Sequence, residues 1–359
     1  MEVDLGIIKA NIKKIKKYTG RKFMACVKGD CYGMGMCRIS GSIESVVDCF
    51  GVATTSEAVS LRDSGIKKPV LIMGPILPGD VETLVMNQIR ITLFDERMLK
   101  VIGDVARRRG KKAFVHIKVD TGLGRIGVNA GKAPAFIQKA MNNEGIAVEG
   151  VFTHFATAGW KDKTYARKQL QRFNAVLSSI AGRNIPIRHI ANSPAILNLP
   201  EAHMKSDMTR IGLLIFGVYP EVTFYRKLPL ECAVKGFCRA IYVKKVPGGT
   251  SLSYGLTYTA PKTAAIATTG IGYADGLSRL LSNNFHFIRG GRKARIVGNI
   301  CMDQTLVNVT GMSVKAGDIM QVTGDDFEIE QMAKICKTVP QEILCGFGSP
   351  RMEKVYKNA

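Results

Sequence analysis

The strongest constraint on the fold is an alternation of strand-like and helix-like segments that recurs eight times in the first 220 or so residues. Short apolar runs bounded by turn residues predict strands at residues 23–28, 48–53, 69–73, 89–94, 113–119, 147–154, 186–191 and 208–216. Most are separated by segments with 3.6-residue apolar spacing, such as Ser56–Asp63 and Tyr165–Ala181. Repeated strand–helix units favour parallel strands with right-handed crossovers. Eight units predict an α/β fold, a (β/α)8 TIM barrel.

The pattern changes after Pro220. Short predicted strands, Phe237–Lys244, Thr263–Thr268 and Lys293–Val297, alternate with glycine and proline turns, and helical spacing is scarce. We therefore expect two domains, a barrel over residues 1–227 and a mostly-β domain over residues 228–359.

Composition excludes several classes of protein. The chain of 359 residues is 46% hydrophobic, contains no run of about 20 apolar residues that could span a membrane, and does not begin like a secretion signal. Its nine cysteines form no C-x-x-C pair, which favours free thiols and a reducing, cytoplasmic compartment. A metal centre is not indicated, because the five histidines are far apart in the sequence and form no H-E-x-x-H motif.

The net charge of +22 raises the alternative of nucleic-acid binding. The densest basic clusters, residues 13–17 and 107–112, interrupt apolar positions at helical spacing and have few aromatic neighbours on which bases could stack. We interpret them as solvated helix faces and expect no nucleic-acid partner. The excess charge can still attract anionic substrates.

Polar residues follow the predicted barrel strands, where the working residues of this architecture lie. Lys28 closes the first strand and precedes a predicted tight turn, Gly29–Gly33, an arrangement that presents an amine to a pocket and allows a Schiff base. Further polar residues at the same end are Lys118, Arg125, His154, Ser193, Arg210 and Gly212.

The loops after the seventh and eighth strands have the composition of an anion site. Asn192 and Ser193 offer a hydroxyl and a helix start, and Arg210 and Gly212 add a cation and a backbone donor. A reactive lysine beside a phosphate site suggests pyridoxal 5′-phosphate as the cofactor.

Seven ordered motifs resemble those of the bacterial alanine racemases: V-K-G-D-C-Y-G at 27–33, V-D-T-G-L-G-R-I-G at 119–127, F-T-H-F-A at 152–156, H-I-A-N-S at 189–193, S-Y-G at 253–255, G-Y-A-D-G at 272–276 and C-M-D-Q at 301–304. The resemblance covers nearly the whole chain. It implies a homodimer of a cofactor-binding barrel and a C-terminal β domain that interconverts L- and D-alanine, with each active site completed by the partner's β domain.

The resemblance also implies roles for individual residues. Lys28 carries the cofactor and acts as one acid/base, and Tyr273, from the partner, acts on the opposite face of Cα. Tyrosine is a poor base at its ordinary pKa, so nearby cations must favour the phenolate; Arg210 and His154 are candidates. The cofactor-binding residues implied are Lys28, Tyr32, His154, Asn192, Ser193, Arg210, Gly212 and Leu213; the substrate-binding residues are Arg125, Met302 and Gln341; Lys118 and Asp303 are supporting residues.

The resemblance also implies how Arg210 and Lys118 act chemically. In the family, Arg210 faces the pyridine nitrogen; because arginine is always protonated, it does not take a proton from that nitrogen, which favours racemisation over transamination. Lys118 resembles a position that is often carbamylated, where the new carboxylate would orient Arg125 towards the substrate carboxylate.

Gln341 departs from the family, which usually has a tyrosine there, and Gly348–Arg351 departs from the usual basic-Pro-Arg segment. Glutamine leaves more room and adds a donor and an acceptor. Racemisation of serine or a broader range of amino acids, or another pyridoxal-dependent reaction such as decarboxylation, therefore stays an alternative. The run Gly122–Gly127 also satisfies G-x-G-x-x-G, a weak indication of dinucleotide binding, because four strands precede it.

Overall fold

The computed structural model describes residues 1–220, 224–225, 227–324 and 327–358. The first ten strands are β1 (Glu2–Asp4), β2 (Lys22–Cys26), β3 (Cys49–Val52), β4 (Val70–Ile72), β5 (Arg90–Leu93), β6 (Ala113–Asp120), β7 (Val128–Asn129), β8 (Ile146–Phe152), β9 (Ile187–His189) and β10 (Met208–Ile211). The longer helices between them are Leu5–Thr19, Met36–Ile43, Thr55–Asp63, Val81–Met86, Glu96–Arg108, Ala133–Met141, Thr164–Ser179 and Ser193–Asn198, followed by the short helix Pro200–Met204.

Eight of these strands form the barrel that the sequence predicted. They are parallel, in the order β10-β2-β3-β4-β5-β6-β8-β9, and a backbone bridge between Asn192 and Arg210 brings the two ends of the sheet together. Side chains alternate across each strand. In β2, Met24 belongs to a small cluster inside the barrel, and its neighbours Phe23 and Ala25 pack into the large core beneath the helices.

Several predicted strands are too long at their C-terminal ends. β2 ends at Cys26 instead of residue 28, β8 at Phe152 instead of 154, and β10 at Ile211 instead of 216. After β10, Gly212 leaves the extended conformation and Leu213–Phe216 forms a 3-10 helix. These apolar residues are buried against other elements. Apolar content alone therefore did not distinguish the end of the strand from the buried turn that follows it.

The segment after β2 is a left-handed helical turn, Lys28–Tyr32. Gly29, Asp30, Cys31 and Tyr32 have φ values of 65°, 50°, 54° and 58°, and each residue other than glycine costs roughly 1–2 kcal/mol in this conformation. Hydrogen bonds offset part of that cost: the Asp30 carboxylate accepts from the Met36 amide at 2.7 Å, and the Glu57 carboxylate accepts from the Gly29 amide at 2.6 Å.

The C-terminal segment packs on this turn. A side chain at Gly33 would approach the Cα of Gly348 to 2.5 Å, and Gly33 has a φ of 81°, so glycine is required there. The hydroxyl of Tyr356 donates to the carbonyl of Met34 at 2.9 Å. The turn is therefore held by residues from both ends of the chain.

The second region is a mostly antiparallel sheet. Its strands are β11 (Val234–Val246), β14 (Ala264–Thr269), β15 (His286–Arg289), β16 (Arg292–Arg295), β17 (Thr305–Asn308), β18 (Ile319–Thr323) and β19 (Val355–Lys357), and β12 (Ser251–Leu252) and β13 (Tyr258–Thr259) form a separate two-stranded sheet. β1, from the N-terminus, pairs with β11 and β19 in this sheet. The helices Glu328–Ile335 and Pro340–Gly346 were not expected from the sequence. The boundary at residues 227 and 228 stays a prediction, and the predicted end at residue 359 lies outside the described residues.

Candidate active site

Most of the polar residues singled out in the barrel sequence lie at the C-terminal ends of the barrel strands, which we call the barrel mouth. Lys118 is near the end of β6, Arg210 is in β10, and Lys28 and His154 each lie two residues beyond a strand. Burial, followed by the positive charges of Arg210, Arg125 and Lys28, lowers the pKa of Lys118 to about 7. These four cations are therefore close enough to interact. Lys28 itself is exposed, although the sequence predicted an amine shielded from water.

Arg210 is the most firmly held of these groups. Its guanidinium is 3% exposed, and Nη2 donates to the carbonyls of Thr153 at 2.8 Å and Ile190 at 3.0 Å. Burial lowers its pKa to about 10, so it stays charged at neutral pH. The ring of Phe152 lies 5.4 Å from the guanidinium carbon and adds a cation–π contact.

Arg210 also fixes the protonation of its histidine neighbours. Its Nη2 lies 3.0 Å from Nδ1 of His154, and its Nη1 lies 3.1 Å from Nδ1 of His189. A guanidinium can only donate, so Nδ1 of His189 accepts and that ring carries its proton on Nε2. Burial, and then the charge of Arg210, lowers the pKa of His154 well below its usual range. His154 is therefore a neutral group at neutral pH.

The loops after β9 and β10 provide donors for an anion. Asn192 caps the helix Ser193–Asn198, its Oδ1 accepting from the Ala195 amide at 3.1 Å. A side chain at Gly212 would approach the Tyr32 hydroxyl to 1.9 Å, so the bare backbone of Gly212 faces that hydroxyl. Leu213, beside it, is 2% exposed.

The hydroxyls of Tyr32 and Ser193 donate to no other group within the described part of the chain, so both are available to a ligand. Burial raises the pKa of Tyr32 well above its usual range, which keeps it a neutral donor. A free amine, a fixed buried cation and uncommitted hydroxyls together fit a phosphorylated pyridine aldehyde. Lys28 suits its aldehyde, Arg210 its ring nitrogen, and Tyr32, Ser193 and the Gly212–Leu213 backbone its phosphate.

Arg125 is exposed on the loop after β6. One carboxylate oxygen of Asp120 accepts from the amides of Gly122, Leu123 and Gly124 at 2.9–3.2 Å and so shapes this loop. The next element is the short strand β7 and not a helix. A dinucleotide fingerprint needs a helix there to receive the pyrophosphate. The structure therefore removes the support for dinucleotide binding.

Tyr273 and Met302 lie together on the β domain. The Tyr273 amide donates to the carbonyl of Cys301 at 3.0 Å, and the Ala274 amide donates to that of Met302 at 2.9 Å. The side chains of Tyr273 and Met302 are 45% and 57% exposed, and Asp303 is exposed beside them. Among the described residues, no hydrogen bond, ion pair or ring contact joins this surface to Lys28. The structure does not bring the two predicted acid/base groups into contact within one chain.

Gln341 lies at the start of the helix Pro340–Gly346, which packs against the left-handed turn that carries Lys28. Its side-chain oxygen is buried and accepts no hydrogen bond from the described residues. An unpaired buried carbonyl costs roughly 1–3 kcal/mol. The position is therefore suited to a ligand that can donate a hydrogen bond.

Sequence reasoning missed several polar groups behind the barrel mouth. His116 is 2% exposed and His189 is fully buried inside the barrel, and neither was assigned a role. His116 precedes Lys118 by two positions in β6, so both face the same side of the strand. That periodicity, applied to polar residues in an otherwise apolar strand, was the signal that could have found His116. The ion pair between Arg351 and the buried Asp275, at 2.8 Å, had no such signal.

No helix among residues 1–220, 224–225, 227–324 and 327–358 is both long and apolar enough to cross a membrane. In the same residues, no group of three or more histidine, cysteine, aspartate or glutamate side chains is arranged to hold a metal ion.

Comparisons with known proteins agree across the whole chain. Residues 3–220 match the family described as alanine racemase, N-terminal domain, and residues 234–356 match alanine racemase, C-terminal domain. Alanine racemase 2 of Caldanaerobacter subterraneus subsp. tengcongensis is 40% identical over 99% of this chain and 94% of its own length. The alanine racemase of Desulforamulus reducens is also 40% identical, over 99% and 98% of the two chains.

Solved structures give the same result. The alanine racemase from D-cycloserine-producing Streptomyces lavendulae superposes with a TM-score of 0.93 at 30% identity, over 100% of this chain and 96% of that one. The alanine racemase of Clostridium difficile 630 superposes with a TM-score of 0.92 at 33% identity, over 99% and 94%.

Proposed function

The chain belongs to the alanine racemase family, and from that premise we propose that it interconverts L- and D-alanine with pyridoxal 5′-phosphate as its cofactor. The support for the cofactor comes from the barrel mouth: the positive charges of Lys28 and the buried Arg210 both act on Lys118, the Tyr32 hydroxyl faces Gly212, and Ser193 follows Asn192, which bridges to Arg210. When bound, pyridoxal phosphate supplies an electron sink that makes the Cα proton of an amino acid removable.

The chain's own residues then perform the proton transfers. In this proposal the freed amine of Lys28 removes or returns a proton on one face of Cα, and the phenol of Tyr273 does the same on the other face. Inversion requires two opposed carriers, because a single carrier would return the proton to the face it came from. Arg125 binds the substrate carboxylate through a charge-assisted pair, next to Met302.

Arg210 sets the character of the cofactor site. Its pKa of about 10 keeps the guanidinium protonated at neutral pH, so it offers a donor and no acceptor to the ring nitrogen. His154, held neutral beside it, adds no second charge. Lys118, with a pKa of about 7, is substantially a neutral amine at that pH, the form that reacts with carbon dioxide. We propose that it is carbamylated and orients Arg125.

The experiment for the cofactor is chemical trapping. We expect the purified protein to bind pyridoxal phosphate with a yellow colour, and borohydride to bleach it and attach the cofactor to the peptide that contains Lys28. The matched control is Lys22, at the opposite end of the same strand, which should stay unmodified. Attachment at another lysine would overturn the assignment. L-alanine in heavy water should lose its Cα hydrogen and its optical activity; release of carbon dioxide instead would identify a decarboxylase.

We also propose that the enzyme is a homodimer in which Tyr273, Met302 and Asp303 of one chain complete the site of the other. The support is that Tyr273 and Met302 are fixed through their backbones while their side chains stay largely exposed. Free cysteines further support a cytoplasmic location.

A mixing experiment tests the shared site. Lys28→Ala and Tyr273→Phe should each be inactive alone. After mixed refolding, half of the dimers carry one chain of each kind, and such a dimer keeps one intact site if the site is shared. We expect recovery of about a quarter of the wild-type activity. A site built within one chain would give no recovery.

Gln341 favours a second candidate substrate, serine. Its buried, unpaired oxygen can accept a hydrogen bond from a substrate hydroxyl, which alanine cannot donate. We expect Gln341→Tyr to lower kcat/KM for serine by about tenfold relative to alanine, because one hydrogen bond is lost and the space is smaller. A protein that racemises alanine but leaves serine unchanged at high concentration would remove this candidate.

A further inference from the structure

A line of polar side chains runs from Arg210 through the barrel interior to the opposite end of the barrel. Nη1 of Arg210 lies 3.1 Å from Nδ1 of His189, and Nε2 of His189 lies 2.8 Å from Nδ1 of His116. Nε2 of His116 faces the Glu149 carboxylate at 3.8 Å, longer than a direct hydrogen bond. Glu149 accepts from Arg90 at 2.9 and 3.2 Å.

The protons along this line can point in only one direction. Arg210 must donate, so Nδ1 of His189 accepts and its proton is on Nε2. That proton is donated to Nδ1 of His116, whose own proton is therefore on Nε2, facing Glu149. Every donor points away from the barrel mouth, and the last N–H, on His116, faces the Glu149 carboxylate at 3.8 Å.

The two imidazoles are held neutral. Burial, and then the positive charge of Arg210, lowers the pKa of His189 well below its usual range. Burial also lowers the pKa of His116, although Glu149 opposes the shift. A second proton on His189 would place two donors against each other at its contact with Arg210. These contacts therefore favour a neutral His189 ring with its proton on Nε2.

The far end of the line reaches a cavity. A space of about 340 Å³ at the N-terminal ends of the strands is lined by His116, Glu149 and Arg90, together with Lys22 and Asp48. Burial would raise the pKa of Glu149, but the contact with His116 and the hydrogen bonds and charge of Arg90 outweigh it and lower the pKa. The line therefore ends in an ionised carboxylate, on the side of the barrel opposite the proposed active site.

We propose that His189, His116 and Glu149 are positioning residues for the racemase: through fixed imidazole tautomers, a remote carboxylate holds the guanidinium of Arg210 in its orientation at the cofactor. The inference rests on the proposed function, because it takes Arg210 to face the pyridine nitrogen. The physical reason is that this arrangement keeps the negative charge of Glu149 away from the cofactor nitrogen. Arg210 makes no ion pair within the described residues, and a carboxylate beside it could hold a proton on that nitrogen. Glu149 supplies the compensating charge from beyond two neutral rings.

The test is Glu149→Gln, which removes the charge and keeps the size of the side chain. Asp207→Asn is the matched control: Asp207 pairs with Arg188 at 2.7 Å, and its side chain is 26% exposed compared with 25% for Glu149. It lies at the same end of the barrel but outside the line. We expect Glu149→Gln to lower kcat about tenfold with KM nearly unchanged, less than the 10²-fold that a 1 Å misplacement can cost. Asp207→Asn should change kcat by less than twofold.

A second measurement needs no turnover. With only five histidines in the chain, ¹⁵N spectra of histidine-labelled protein can report the tautomer of each ring. We expect His116 and His189 both to be protonated on Nε2 in the wild type. Glu149→Gln should shift the resonances of both rings, and Asp207→Asn should shift neither.

A pair of variants at His116 keeps the inference testable if Glu149→Gln does not fold. His116→Asn retains an acceptor for His189, whereas His116→Leu removes it. We expect the Asn variant to preserve the His189 tautomer and to retain several-fold more activity than the Leu variant. Equal loss in the two variants, an Nδ1-protonated His189 in the wild type, or equal effects of Glu149→Gln and Asp207→Asn would overturn the proposal.

These measurements distinguish a failure of the positioning role from a failure of the proposed function. A protein that racemises alanine but shows no such tautomers contradicts only the positioning role. Protein that does not bind pyridoxal phosphate, yet shows both tautomers and their response to Glu149→Gln, contradicts the proposed function while the polar line itself stands.

Discussion

The two surfaces that carry the proposed catalytic groups are built in opposite ways. At the barrel mouth, Arg210 is 3% exposed and Lys118 is 4% exposed, and the hydrogen bond that Arg210 donates to His189 determines which nitrogen of that ring carries the proton. On the β domain, Tyr273 and Met302 are held through backbone hydrogen bonds, and their side chains are about half exposed. The barrel mouth is organised within one chain. The β-domain surface is held by its backbone, but none of the described residues of the same chain covers it.

This difference predicts how mutations divide between activity and stability. Charges buried at the barrel mouth cost folding free energy, so their removal should stabilise the chain. Exposed groups can be removed with little effect on stability. Four substitutions test the contrast.

The largest effect is expected for Lys28→Ala. The side chain is exposed, so the free energy of unfolding should change by less than about 0.5 kcal/mol. Racemase activity should fall by at least about 10³-fold, because both the attachment of the cofactor and one proton carrier are lost. Polarimetry with L-alanine and denaturant unfolding measure the two effects. Lys22→Ala is the control; activity within tenfold of wild type in Lys28→Ala would contradict the assignment.

The next largest effect is expected for Tyr273→Phe, with a loss of activity of about 10²–10³-fold and no measurable loss of stability. The physical reason is that only the acid/base hydroxyl is removed, from a side chain that is 45% exposed. The control is Tyr242→Phe, at an exposed tyrosine of the same domain. Initial rates should be measured from both enantiomers. Similar rates for the two Phe variants would show that Tyr273 carries no proton.

A smaller effect is expected for Lys118→Gln. This substitution should raise the free energy of unfolding, unlike the two before it. Burial lowers the pKa of Lys118 from 10.5 to about 7, so the folded chain binds fewer protons than the unfolded chain between these values. Wild-type stability should therefore rise from pH 7 to 10.5.

In buffer free of carbon dioxide, we expect Lys118→Gln to be more stable than wild type by about 2 kcal/mol at neutral pH, with the advantage shrinking as the pH rises. Denaturant unfolding at several pH values measures this. The exposed Lys100→Gln provides the baseline, and a pH-independent difference would contradict a buried charge at the barrel mouth.

The smallest effect is expected for Arg351→Gln. Arg351 pairs with Asp275 at 2.8 Å, and Asp275 accepts from the Gly272 amide at 2.8 Å in the turn that carries Tyr273. Without its cation, we expect a loss of about 1 kcal/mol in stability and a few-fold loss of kcat. Arg351→Lys should retain most of both, and equal losses in the two variants would show that charge at this position is unimportant.

The barrel could be predicted from the sequence because the signal is local and repeated: each apolar run and each amphipathic segment carries its own periodicity. The strand ends were less accurate, because buried turns such as Leu213–Phe216 are as apolar as the strands before them. The helices Glu328–Ile335 and Pro340–Gly346 are short and lie between β18 and β19, and short segments give weak periodicity.

The site residues that the sequence suggested are those that belong to contiguous motifs. Lys28, His154 and Arg210 follow or end predicted strands, so the architecture itself indicated their place. His116 and Glu149 are on the paired strands β6 and β8, and the register of that pairing, which the sequence does not show, brings them within 3.8 Å. The pairing of Asp275 with Arg351 spans 76 residues, and no local pattern specifies such a contact.

The left-handed turn that follows Lys28 depends on contacts from residues that are translated much later. Lys28 is synthesised well before Gly348 and Tyr356, whose contacts cover its turn; the Tyr356 bond joins residues 322 positions apart. A chain that has not yet reached Tyr356 lacks these contacts and has only the local hydrogen bonds of Asp30 and Glu57 to offset the strain beside the lysine. A nascent polypeptide therefore cannot hold its reactive amine in the complete geometry until Tyr356 has been translated.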